Sequence, residues 1–123
     1  MDNLLDLLQQ ATITLSQCGS VKDRLADAYA THLIQVDVED LPESLRDDFE
    51  CLCQAMRREQ PLPRESAIRA SVRKMSNEEA ARHAALVVRT FAAVARTGAA
   101  VIARRNVRTP SSAPIVNLFA ADA

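Results

Sequence analysis

The chain has 123 residues, 48% of them hydrophobic, and a formal net charge of −1 at neutral pH. This length fits one domain whose core folds without metal or disulfide bonds, and the near-neutral charge excludes a global field that would attract nucleic acid or an anionic membrane. The charge is unevenly distributed, since residues 1–60 carry twelve acidic and five basic side chains and residues 61–123 carry four and ten. Either acidic helices pack beside basic ones, within one fold or across a dimer, or the basic half faces a polyanion.

The helical periodicity begins in the first segment, where a helix is predicted over residues 2–18. Its apolar residues repeat at spacings of four and three, as in a coiled-coil seam: Leu4, Leu8, Ala11, Leu15 and Cys18. Gly19 suits the left-handed position after a helix, and Ser20 suits the N-cap of the next one, with Asp23 at its third position. We therefore expect a tight corner and a second helix over residues 21–36.

Prolines divide the middle of the chain. Pro42 is typical of the first turn of a helix, and the apolar spacing after it predicts a third helix over residues 42–59. Pro61 and Pro63 favour an extended link. A short fourth helix follows over residues 64–74, with an apolar side turned inward (Ile68, Val72, Met75) and a basic side turned outward (Arg64, Arg69, Arg73, Lys74).

A long helix is predicted over residues 76–105. Ser76 and Glu79 form a capping box in which each side chain bonds the backbone N–H of the other. An apolar stripe runs along the helix and comprises Ala80, Ala84, Val87, Val88, Phe91, Val94, Ala95, Gly98 and Ile102. Arg82, Arg89 and Arg96 lie seven residues apart on the opposite side.

These elements predict an all-α fold, an antiparallel bundle of four to five helices over residues 1–106 with one long C-terminal helix. Residues 107–123 are interpreted as an extended or flexible tail, since RTPSSAP resembles a linker. The last helix is much longer than the others, so a monomer would leave part of its stripe in water. We therefore expect a homodimer in which the C-terminal halves of this helix pack together.

The cysteines and histidines of the sequence give little support to catalysis or to metal binding. Cys51 and Cys53 point to nearly opposite sides of a helix, about 200° apart, so they cannot share a metal ion or a disulfide. His32 is interpreted as a histidine at the core margin and His83 as a solvated one, and no set of nucleophile, base and orienting group can be assembled. We expect no enzyme, no metal and no cofactor. Free thiols without a basic N-terminal signal region are typical of a cytoplasmic protein.

Two other interpretations concern the last helices. A membrane span over residues 84–103 would bury Arg89 and Arg96 at about 2.5–3.5 kcal/mol each, so no membrane contact is expected. A helix-turn-helix would place Asn77, Arg82 and Arg89 toward a groove, with Arg69, Arg73 and Lys74 on phosphates. Against this interpretation, Glu78 and Glu79 lie at the end of the helix that would enter the groove, where their negative charges would repel the phosphates. We keep an accessory DNA-binding regulator as the alternative function.

The tail carries a short apolar cluster, Ile115, Val116, Leu118 and Phe119. PIVNLF resembles, in its Leu118-Phe119 ending, the peptide with which bacterial replication and repair proteins engage the sliding clamp, although Ile115 stands where that motif begins with glutamine. The resemblance implies a clamp as partner, but we favour an arm that docks on its own bundle or on a partner subunit. The leading hypothesis is a bacterial, non-enzymatic interaction protein whose contact residues are this cluster with Arg82, Arg89 and Arg96.

Overall fold

The computed structural model describes the backbone of residues 2–107 and the side chains of residues 3–97. Within this range the chain is all-α, as predicted, and contains no strand. Its elements are α1 (Asp2–Leu15), α2 (Val21–Thr31), the 3₁₀ helices Leu33–Gln35 and Val38–Asp40, α3 (Glu43–Ala55), α4 (Ala67–Lys74) and α5 (Asn77–Val107). The predicted tail lies outside the described residues beyond Val107, and so does its cluster Ile115, Val116, Leu118 and Phe119.

The corner between α1 and α2 forms as predicted. Gly19 has a φ of 110°, and the Ser20 hydroxyl accepts the Asp23 N–H at 3.1 Å. The end of α1 was predicted wrongly, because the helix stops at Leu15 rather than at Cys18. The hydroxyl of Ser16 donates to the Ile13 carbonyl at 2.6 Å, which satisfies a terminal carbonyl without another helical turn.

The second and third helices are both shorter than predicted. The backbone leaves helical geometry at His32, with φ −121° and ψ −54°, so α2 ends at Thr31 rather than at residue 36. The following 3₁₀ turn brings Leu33 into the core, where its exposed fraction is 1%. The third helix ends at Ala55 instead of residue 59 because Met56 and Arg57 close it with a tight turn.

The link between α3 and α4, which was predicted to be extended, contains a turn over residues 62–65. The Glu65 N–H donates to the Leu62 carbonyl at 2.9 Å, and Arg64 has a φ of 68°, a value that type II turns usually assign to glycine. Ser66 then caps α4 by accepting the Arg69 N–H at 3.1 Å. The helix therefore begins three residues later than predicted.

Helix α5 has 31 residues and is about 46 Å long. Its N-terminus is capped as predicted by Ser76, whose hydroxyl accepts the Glu79 N–H at 3.0 Å. The reciprocal bond of the capping box was predicted wrongly, because the Glu79 carboxylate accepts a hydrogen bond from Arg58 at 3.2 Å instead. This contact joins the segment after α3 to the start of α5.

One hydrophobic core holds the helices together, with α5 packed against α1, α2 and α3, and α4 packed against α2. The largest fully buried apolar side chains come from every α-helix except α4 and from the segments that join the helices: Leu8, Leu25, Tyr29, Leu33, Leu41, Phe49, Leu52, Met56 and Val87. Among the helices of the described chain, none is both long and apolar enough to cross a membrane.

Candidate functional site

The side of α5 that faces away from the core carries two parallel stripes, which together we call the outer face. One stripe is apolar and small, with spacings of four, three and four residues: Ala81, Ala85, Val88 and Ala92. The other consists of Arg82, Arg89 and Arg96, seven residues apart. Because seven residues make nearly two helical turns, each stripe runs almost parallel to the helix axis. The two stripes therefore lie side by side along the exposed part of the helix.

The position of Val88 corrects the predicted apolar stripe. Its side chain is 44% exposed, whereas its neighbour Val87 is fully buried. Adjacent residues diverge by about 100° on a helix, so both valines cannot point to the centre of the core. Leu86 and Thr90 complete the buried side instead, with exposed fractions of 8% and 0%, and the Thr90 hydroxyl donates to the Leu86 carbonyl at 2.8 Å.

The three arginines of the outer face are exposed. Ion pairs with Asp47, Asp48 or Glu50 were expected for a protein that acts through protein–protein contacts, and a basic surface without carboxylates was expected for a DNA-binding regulator. Instead, Arg82, Arg89 and Arg96 make no ion pair with any side chain that the structure describes. Three positive charges therefore stand along α5 at intervals of about 10.5 Å without compensation from the described residues.

A second charged region, which we call the acidic surface, extends from Asp37 through the 3₁₀ helix Val38–Asp40 to the exposed side of α3. Its carboxylates are all exposed and make no ion pair with the described side chains: Asp37, Glu39, Asp40, Glu43, Asp47, Asp48 and Glu50. Arg46 lies within this region, but its guanidinium donates to the backbone carbonyls of Leu41 at 3.0 Å and Glu39 at 3.2 Å. The run of acidic residues was visible in the sequence, but it was not predicted to form a separate surface.

The basic side chains of α4 are engaged in ion pairs. Arg69 contacts two carboxylates of α2, Asp23 at 3.4 Å and Asp27 at 2.7 Å. Lys74 lies 3.5 Å from Glu59. These acidic groups interrupt the basic surface that would contact phosphates if the protein bound DNA. The ion pairs of Arg69 also join α4 to α2, whereas a helix-turn-helix would pair α4 with α5.

A cavity of about 370 Å³ lies between the start of α2 and α4. The charged groups in its wall are partnered with one another, since Arg73 donates to the Glu65 carboxylate at 2.9 and 3.2 Å and the Lys22 ammonium donates to the Arg73 carbonyl at 3.1 Å. The hydrogen bond from Arg73 lowers the pKa of Glu65, and the same bond raises the pKa of Arg73. Glu65 is thus held in its ionised form, which suits a structural ion pair and not a proton donor.

His83 was expected in solvent, but this prediction was wrong. Its side chain is only 18% exposed, and its Nε2 lies 3.6 Å from the Glu79 carboxylate, one helical turn away. The Nε2 atom is itself buried and has no hydrogen-bond partner among the described residues. The carboxylate of Glu79 also accepts the hydrogen bond from Arg58, so the same acidic group lies next to an arginine and a histidine.

Two cysteines lie on α3, and one of them, Cys53, neighbours the tyrosine of α2. Cys51 is exposed and Cys53 is partly buried, and both are free thiols, as the helical spacing predicted. Burial, with a smaller contribution from the neighbouring Cys53 thiol, raises the pKa of Tyr29 to about 12, and no described residue lies in hydrogen-bond geometry to the Tyr29 hydroxyl. Within the described side chains, no three histidine, cysteine or acidic residues come together as a metal-binding group.

The outer face and the acidic surface are therefore the most distinctive features of the described molecule. Arg82, Arg89 and Arg96 share one face as predicted, whereas Arg69, Arg73 and Lys74 belong to the ion pairs of α4. The spacing of Ala81, Ala85, Val88 and Ala92 was present in the sequence and could have indicated the apolar stripe. No family model matches the chain, and no curated protein or solved structure shows significant similarity to it.

Proposed function

We propose that this chain is a small non-enzymatic helical protein that acts through protein–protein contacts, as a homodimer in the cytoplasm of a bacterium. The observation that carries the proposal is the outer face of α5, where an exposed valine lies in a stripe of alanines beside three arginines outside any described ion pair. Protein interfaces are enriched in arginine relative to the other charged residues, and arginine often lies there beside apolar surface.

The small side chains of the apolar stripe suit a helical partner. Ala81, Ala85 and Ala92 project little beyond the backbone, so another helix can approach closely, and Val88 supplies an apolar contact at the centre. The spacing of four and three residues is the one by which two helices pack over several turns. Burial of Val88 at such a contact removes apolar surface from water, which favours association.

The charges of α4 weigh against the DNA-binding alternative. A phosphate-binding surface needs cations that are free to replace the counterions of the nucleic acid. Arg69, Arg73 and Lys74 are instead bound to carboxylates at 2.7–3.5 Å. The free thiols of Cys18, Cys51 and Cys53 fit a reducing compartment.

The homodimer is tested by sedimentation velocity and light scattering of the full chain between about 1 and 100 μM. We expect a dimer whose dissociation constant rises at least about tenfold in Val88→Glu, because that change would place a charge in the apolar stripe. Ile34→Glu is the matched control, since Ile34 is 46% exposed but lies outside α5, and it should leave the dimer unchanged. A wild-type chain that is monomeric throughout this range contradicts the proposal.

A further inference from the structure

We propose that the partner of the arginine stripe of α5 is the acidic surface of a second copy of this chain. The inference rests on the homodimer proposed above and adds which surfaces meet. Each copy would place Arg82, Arg89 and Arg96 against the exposed acidic side of α3 in the other copy. The apolar stripe of α5 then lies along the edge of the same contact.

The two surfaces carry opposite net charge, and their arginines (Arg82, Arg89, Arg96) and carboxylates make no ion pairs within the described part of the chain. The outer face of α5 presents three arginines, and the acidic surface presents seven carboxylates, that make no ion pair with side chains of residues 3–97. By contrast, Arg58 and the arginines of α4 are paired with carboxylates. Unpaired charges of both signs on one molecule favour contact between copies, because opposite potentials meet and identical surfaces are kept apart.

The spacing of the charges also matches. On α3, Glu43 and Glu50 are seven residues apart, as are Arg82 and Arg89 on α5, so both pairs span about 10.5 Å along their helices. Glu43 and Glu50 lie on the same exposed side of α3. Two helices packed nearly parallel or antiparallel therefore bring both arginines opposite both glutamates in one register.

The symmetry of the contact accounts for a closed dimer. Each copy carries one basic and one acidic surface, so two copies related by a two-fold axis can make the same contact twice. If the outer faces of two α5 helices packed antiparallel against each other instead, residues at equivalent positions beside the contact would meet. The arginines of the two copies would then face each other. Repulsion among those arginines disfavours that arrangement.

The test uses two full-length charge-reversed variants, Arg82→Glu with Arg89→Glu, and Glu43→Lys with Glu50→Lys. Each alone brings like charges together, so we expect self-association to weaken at least about a hundredfold. In an equimolar mixture, each variant can pair with the other. The reversed α5 of the first then meets the reversed α3 of the second, and the two unchanged surfaces meet each other, so both contacts join opposite charges. We expect the two variants to form a mixed dimer with a dissociation constant within about threefold of the wild-type value.

The control is Arg64→Glu, since Arg64 is likewise exposed and makes no ion pair with the described side chains. This variant should dimerise like the wild type. Circular dichroism melts confirm that each variant is folded. If a reversed variant is not, the neutral pair on the same helix replaces it, Arg82→Gln with Arg89→Gln or Glu43→Gln with Glu50→Gln. The neutral pair should weaken the dimer less than charge reversal does.

The outcomes separate this inference from the proposed function. If the wild type dimerises and Val88→Glu disrupts the dimer, but reversal of Arg82 and Arg89 has no effect, the homodimer stands and the assignment of the acidic surface is overturned. Failure of the two reversed variants to form a mixed dimer also overturns it. A monomeric wild type overturns both proposals and leaves an acidic segment of a different protein as the occupant of the outer face.

Discussion

At the scale of single residues, Tyr29 combines complete burial with an unpartnered hydroxyl. A buried polar group without a hydrogen bond destabilises the folded state, because it loses its bonds to water. Burial also disfavours the phenolate and raises the pKa to about 12 from 10.0. Since the chain has one tyrosine and no tryptophan, its ultraviolet titration reports this group alone.

We predict that Tyr29→Phe raises the free energy of unfolding at pH 7 by about 1 kcal/mol, because phenylalanine keeps the ring and removes the unpartnered hydroxyl. Between pH 10 and 12 the unfolded wild type has lost the phenolic proton and the folded one retains it. The free energy of unfolding of the wild type therefore decreases by about 2 kcal/mol over this interval, and that of Tyr29→Phe should decrease less. Urea denaturation at several pH values measures both effects, and a wild-type titration midpoint near 10 would contradict them.

At the scale of elements, the ends of helices differ in how well the sequence specifies them. The Gly19 corner and the Ser20 and Ser76 caps were predicted correctly, because each depends on residues within one turn of the helix end. The end of α2 was not, because the 3₁₀ turn that follows it is stabilised by burying Leu33 against other elements. The start of α4 was also missed, since Arg64 adopts a left-handed conformation that its residue type does not indicate.

The contact between α4 and the segment after α3 depends on Ser71. This side chain is fully buried, and its hydroxyl accepts the Glu59 N–H at 3.1 Å. We predict that Ser71→Ala lowers the free energy of unfolding by about 1–3 kcal/mol, because the Glu59 N–H loses its partner. Ser44→Ala on the exposed side of α3 is the control and should change stability by less than about 0.5 kcal/mol. Equal effects in chemical denaturation would show that the Ser71 bond is dispensable.

At the scale of the whole molecule, periodicity was enough to predict an all-α bundle with one long helix. It did not fix the rotation of α5 about its axis, because Val87 and Val88 are equally apolar and only packing against α1, α2 and α3 decides which of them is buried. The arginine stripe was predicted, but its lack of partners within the described chain depends on where α3 turns its acidic side. That orientation is a property of the tertiary fold.

Dimerisation has a consequence for thermal stability that we predict directly. A folded dimer is favoured by mass action, so the melting temperature should rise by about 5 °C when the protein concentration increases from about 2 to about 200 μM. The Arg82→Glu, Arg89→Glu variant should melt at a temperature that does not depend on concentration. Calorimetry at both concentrations measures this difference, and a wild-type melting temperature without concentration dependence contradicts it.

At the corner between α1 and α2, Gly19 can be replaced by an amino acid of D configuration. With a φ of 110°, the site strains any L residue, whereas the same torsion is favourable for D-alanine. D-alanine would also restrict the unfolded chain and so strengthen the corner. Because Cys18 and Cys51 flank this position, a synthetic segment of residues 18–50 that carries D-alanine can be joined by chemical ligation to residues 1–17 and 51–123.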